Sequence, residues 1–155
     1  TGATLTGADL TNATVISATL TGANLTSANL TEANLASSNL TGADLTGADL
    51  TNATATSANL TSADLTDAGL LGAYLHKANL EGAVMTDVHA DFADFSQAKL
   101  KGVDLQNAAL IGANFAHAQL QGANLTRADM KACSAVGADF SGATMVSTRM
   151  KGSSA

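Results

Sequence analysis

A chain of 155 residues lies within the range of one domain, and 46% hydrophobic residues against 13% charged supply enough apolar matter for a core. Aromatic residues make up only 3%, so small and medium aliphatic side chains must fill that core. The formal net charge of −6 argues against direct nucleic-acid binding, because replacing the counterions of a phosphate backbone takes Lys and Arg.

From Leu5 to Met150 every fifth residue is apolar, and two residues before each stands a small side chain, nearly always Ala, as at Ala3, Ala23, Ala63 and Ala123. A short period held over the whole chain marks a repeat architecture. Five matches neither the 3.6-residue period of a helix nor plain strand alternation. Within each unit, however, the two apolar residues are two apart, so Ala23 and Leu25 project to the same side of a short extended segment around Asn24. The rest of the unit, Thr26 and Ser27, must turn the chain so that Ala28 and Leu30 again face inward. Repeated turning closes a coil. Gly and Ser recur at the corner, as at Gly7, Gly22 and Gly42, and Pro, which would remove amides needed between coils, is absent.

Units such as TGANL at 21–25, TGADL at 41–45 and QGANL at 121–125 resemble the pentapeptide-repeat family, and the resemblance covers essentially the whole chain. It implies an all-β fold, a right-handed quadrilateral parallel β-helix with four pentapeptides per coil. Residues 1–155 then form a single solenoid domain of about eight coils, roughly 37 Å long at the spacing of paired strands. Residues 1–70 are near-consensus and 71–155 are diversified.

With neighbours twenty residues apart, one interior column reads Val15, Leu35, Ala55, Leu75, Phe95, Phe115, Ala135, which predicts a phenylalanine stack and a thin spot at Ala55. The exchanges Val88 with Ala90 and Cys133 with Ala135 roughly conserve volume, whereas Ala53 offers Ala55 no compensation. Cys133 is expected to be a buried packing thiol. The columns Thr6, Thr26, Thr46, Thr66, Thr86 and Asn39, Asn59, Asn79 read as structural ladders.

All seven Lys and Arg residues lie after position 76, while residues 1–75 carry six acids and no base. Some members of the family resemble DNA in shape and charge and occupy the DNA site of gyrase; here Asp44, Asp64 and, after Val84, Asp104 form the candidate acidic face of that kind. Three acids are sparse beside a duplex, and the uninterrupted register leaves no room for a projecting loop. The candidate interaction surface is apolar: Leu71 and Ile111 stand outward two coils apart with Asp91 between them, Phe92 lies beside Asp91, and Tyr74 is one side further on.

Asp87, His89, Asp91 and Asp94 are the one site-like cluster, with Asp87, His89 and Asp91 alternating outward, too widely spaced to grip one small ion. No metal site, cofactor or catalytic residue is therefore expected; His76 and His117 have no placed partner, and nucleophilic chemistry needs both a base and a pocket. Matches to the glycosylation pattern, such as Asn24 and Asn59, are by-products of the repeat. Regular Thr columns suggest ice binding, but paired Thr-x-Thr rows do not form a column. No run approaches the roughly 18 apolar residues of a membrane helix and no basic leader precedes Thr1, so the expectation is a soluble segment without a membrane partner, the cytoplasm slightly favoured. The expected partner is an unidentified protein, and end-to-end self-association is a further expectation from the in-register ends. The leading functional reading is a non-enzymatic scaffold or protein-interaction module, bacterial by family habit, and the alternative is a gyrase regulator that mimics DNA.

Overall fold

The computed structural model describes residues 1–154. The chain winds as a β-helix in which each parallel bridge joins residues twenty apart, from Thr4 with Asn24 through Asp44 with Asp64 to Ser134 with Ser154. Four five-residue units therefore separate stacked neighbours, as the family resemblance implies.

One unit explains all the others. The Leu5 amide donates to the Asn24 carbonyl at 2.7 Å, and the Asn24 amide donates back to the Ala3 carbonyl at 2.8 Å, which pairs one residue per side with the next coil. The chain then turns: the Ala8 amide donates to the Leu5 carbonyl at 3.0 Å, closing a four-residue turn over Thr6 and Gly7. The corner amide of Gly7 reaches the Thr26 carbonyl of the next coil at 2.9 Å. The third residue of each such turn is left-handed while the second is not, the arrangement of a type II turn.

Two expectations need refinement. The sides are not strands: a turn follows every three residues, so each side contributes one isolated bridge. The corners are also not reserved for Gly and Ser. Every corner has φ between 54° and 79°, and non-glycine occupants include Glu32, Asp67, Lys77, Phe92, His117 and Arg127. Asn, Asp and Ser tolerate this region through local hydrogen bonding, whereas a bulky side chain there costs about 1–2 kcal/mol. The coil stack imposes the conformation on them regardless.

The core is the line of Ala and Leu residues that the period of five brings inward. Ala23 to Ala135 are buried at the two inward positions of each unit, and Leu5, Leu10, Phe140 and Met145 pack against that line in part. Phe95 and Phe115 stack, as the interior column predicts. Cys133 is buried as expected; its Sγ donates to the Leu110 carbonyl at 2.9 Å, and burial pushes the thiol up to about 11, so it is protonated at neutral pH. Ser38, also at an inward position, donates from Oγ to the Leu35 carbonyl at 2.6 Å, which removes the cost of burying its hydroxyl.

Candidate interaction surface

One backbone donor in each unit, the amide that opens the turn, has no backbone partner in this scheme. The side chain two residues earlier supplies one. Asn24 Oδ1 accepts from the Thr26 amide at 3.0 Å, Asn29 Oδ1 from Thr31 at 3.0 Å, and Asn59 Oδ1 from Thr61 at 3.1 Å. The Thr61 hydroxyl also donates to Asn59 Oδ1 at 2.6 Å. The Asn and Asp columns are thus turn caps repeated unit after unit.

This bears directly on the candidate acidic face. Asp44 is bridged to Asp64, Asp64 to Val84 and Val84 to Asp104, so the three acids do share one column. Each is engaged as a cap: Asp44 Oδ1 accepts from the Thr46 amide at 3.0 Å, Asp64 Oδ1 from the Thr66 amide at 2.9 Å, and Asp104 Oδ1 from the Gln106 amide at 3.1 Å. Hydrogen bonding from the Thr46 hydroxyl, and then from its amide, holds the Asp44 carboxyl below its ordinary range. Exposed Val84 interrupts the column.

The apolar candidates are built where caps are missing. Gly69 and Ala109 stand at cap positions and carry no acceptor, and the turns that follow open with Leu71 and Ile111. Asp91, between them in the same column, supplies the missing acceptor from the neighbouring coil: its Oδ1 takes the Ile111 amide at 2.7 Å. Phe92 then occupies the corner at φ 59°. Its ring leans over Gly112 of the next coil so closely that a Cβ on Gly112 would lie 2.7 Å from Cδ1 and Cε1. Relative exposures are 48% for Leu71, 66% for Phe92, 36% for Ile111 and 53% for Tyr74. Tyr74 stands round the corner, bridged to Thr54 and Asp94. A large aromatic on a left-handed corner, open to solvent, is unfavourable on both counts.

Asp87, His89 and Asp91 alternate outward with buried Val88 and Ala90 as expected, but the segment is a single bridge between two turns and not a strand. Asp87 is a left-handed corner, His89 is a bridge residue, and Asp91 opens the following turn, so the chain bends at both ends of the segment. Among the described residues no group of three or more His, Cys, Asp or Glu side chains is arranged to hold a metal ion. His76 does have a partner that sequence reasoning missed: its Nδ1 lies 2.8 Å from Ser96 Oγ, one coil away. A twenty-residue offset between two turn-opening positions was the available signal. Asp129, likewise, is held below its ordinary range by the hydrogen bond from Lys131, whose Nζ lies 2.9 Å from Oδ2, with Arg149 3.5 Å away. No helix among the described residues is long and apolar enough to cross a membrane.

The five-residue repeat that builds these coils has its counterpart in known sequences. The family described as Pentapeptide repeats matches in eight copies, over residues 1–26, 28–67, 68–107, 91–127 and 123–154. The chain belongs to this family. Among solved structures, a pentapeptide repeat protein from Nostoc Pcc 7120 is 35% identical with a TM-score of 0.52, over 56% of this chain and 69% of that one. HetL, a pentapeptide repeat protein involved in heterocyst differentiation regulation from the cyanobacterium Nostoc sp. strain PCC 7120, is 29% identical over 97% of this chain and 84% of its own, with a TM-score of 0.37. QnrB1, a plasmid-mediated fluoroquinolone resistance protein, shares the fold at 19% identity and a TM-score of 0.50, over 86% of this chain and 82% of its own. No curated protein sequence matches the chain.

Proposed function

We propose that this pentapeptide-repeat protein is a non-enzymatic display scaffold that holds fixed columns of side chains for another protein to bind. What carries the reading is the division between a uniform backbone and a varied exterior. Corner geometry and bridge spacing are constant throughout the described coils, while outward residues change from Thr, Asn and Gly to Leu71, Tyr74, Phe92 and Ile111. Because the backbone is already ordered by its own ladder, binding incurs little ordering entropy. Residues 1–70 act as a spacer and 71–155 as the display segment of one domain. The same reading takes the solenoid as right-handed, with about eight coils of four pentapeptides, by analogy with the family.

The test is a variant in which outward positions between Leu71 and Ile111 are returned to the Thr, Ser and Gly pattern of the first coils, with inward residues untouched. Partner capture from cells by the natural chain and its loss in the variant is the expected result. Equal capture by both would defeat the reading.

A second reading is favoured by one observation, the shared column of Asp44, Asp64 and Asp104: a DNA-mimicking regulator of gyrase. It requires supercoiling inhibition that weakens with salt and is lost on Asp44→Asn, Asp64→Asn and Asp104→Asn together. Asn keeps the Oδ1 acceptor and hence the turn cap, so this variant removes charge and leaves the fold.

A further inference from the structure

The apolar patch has a charge environment that identifies what it can accept. Leu71, Asp91 and Ile111 form one column and Phe92 projects from the next, so apolar groups follow one another at successive coils. Coil spacing makes each step about 5 Å and the Leu71 to Ile111 span about 10 Å. The corner column on one flank carries Asp67 and Asp87 in consecutive coils, and the bridge column on the other carries Asp94. No Lys or Arg stands in these columns between Asp49 and Asn114; the next bases along them are Lys131, paired with Asp129 at 2.9 Å, and Arg127, whose Nε donates to Asn107 Oδ1 at 2.7 Å. The bases of the same coils, Lys77, Lys99 and Lys101, fall in the columns of the remaining sides.

Resting on the display reading above, we infer that this face binds a basic amphipathic helix of a partner protein, laid along the axis of the rod. Apolar residues at i, i+3 or i+4, and i+7 of an α-helix advance about 5 Å per turn and about 10.5 Å over the set, which matches Leu71, Phe92 and Ile111. Lys and Arg on the two flanks of that apolar stripe meet Asp67 and Asp87 on one side and Asp94 on the other. A strongly anionic partner, whether acidic peptide or nucleic acid, would face uncompensated carboxylates instead. The Phe92 ring leans over the Gly112 corner and stays 66% exposed, so its apolar surface is open to a helix lying along the axis.

The experiment is selection from a displayed random-peptide library on the intact protein, followed by fluorescence anisotropy on the selected peptides with three proteins: the natural chain, Phe92→Ser, and Asp67→Asn with Asp87→Asn. Ser and Asn already occupy left-handed corners elsewhere, at Ser57 and Asn52 among others, so both variants keep the coil. The expected outcome is enrichment of helix-forming peptides with apolar residues three or four apart and an excess of Lys and Arg. Their affinity should fall about tenfold on Phe92→Ser, as truncation of a central aromatic anchor does. It should also fall with added salt on the natural chain and less steeply on the Asp67→Asn, Asp87→Asn variant. Selected peptides that are acidic or neutral, or that bind Phe92→Ser as tightly as the natural chain, would overturn the inference while leaving display elsewhere on the rod intact. A library that yields no binder overturns it as well, and the capture experiment with the re-surfaced variant then decides the broader reading separately.

Discussion

Phe115 stacks on Phe95 one coil along, with ring centroids 5.1 Å apart and planes 6° from parallel. Both rings are fully buried, so the pair contributes both its area and an aromatic contact of about 0.5–1.5 kcal/mol. Phe115→Ala is expected to cost about 3–5 kcal/mol and Phe115→Leu markedly less, because leucine restores the residue that most units carry at this fifth position. Thermal unfolding followed by circular dichroism measures the difference; equal losses for the two variants would count against the stack as a packing unit.

The same column contains Ala55, buried between Leu35 and Leu75. Its companion Ala53 is equally small. Ala55→Leu should therefore raise the melting temperature, by the equivalent of about 1–2 kcal/mol for the added buried methyl groups. A fall would mean that the neighbouring side chains have already closed over the position, since an overfilled core is destabilised instead.

Asn59 shows what the Asx columns are for: one Oδ1 receives both the amide and the hydroxyl of Thr61, at 3.1 Å and 2.6 Å. Asn59→Ala should lose about 1 kcal/mol, and Asn59→Asp should lose little at neutral pH. Chemical denaturation of the two variants beside the natural chain tests the distinction. Similar destabilisation by Ala and Asp would show that the amide group matters for some reason other than accepting these bonds.

Acid should weaken the coil through the capping carboxylates. Asp44 and Asp49 are both depressed from the ordinary 3.8, in each case chiefly by the hydroxyl of the Thr they cap. A depressed folded-state pKa gives stability that is fully present above the unfolded value and lost as pH falls through the folded one. The melting temperature should then be flat from neutral pH to about 4 and decline below it. Asp44→Asn with Asp49→Asn should flatten the acid limb. An unchanged decline in that variant would place the acid sensitivity in other groups.

Phe92 is held at φ 59°, a conformation Gly adopts freely. Phe92→Gly should stabilise the isolated protein by about 1 kcal/mol while removing the centre of the apolar patch, a separation of stability from binding. Gly112→Ala should do the reverse of relief, because its new methyl meets the Phe92 ring and strains a left-handed corner at φ 68°. Melting temperatures that move together in the two variants would contradict the seating of the ring.

The inward residues were legible because their period is a matter of counting, and once four units per coil are assumed, Phe95 and Phe115 have to meet. Leu71, Asp91 and Ile111 were legible as a column for the same reason. The role of Asn and Asp was not: a repeated amide looks like a ladder along the rod, whereas its Oδ1 bonds locally to the turn two residues on. The Asp91 bond to the Ile111 amide and the contact of His76 with Ser96 also escaped, since each depends on which way a side chain leans between coils. The outward alternation of Asp87, His89 and Asp91 with Val88 and Ala90 was legible, whereas its confinement to one bridge between two turns was not, because a corner recurs before any strand can form.

Phe92 over Gly112, His117 over Gly137 and Asn52 over Gly72 share a direction as well as a spacing. In each pair the side chain leans toward the later coil and lies where that coil's corner would otherwise project a Cβ. The exterior of this rod is consequently written in two-coil words at such places, a bulky letter followed by a blank. At these pairs a bulky side chain and its blank act as one unit twenty residues apart, and a change to the blank alone can silence the letter before it.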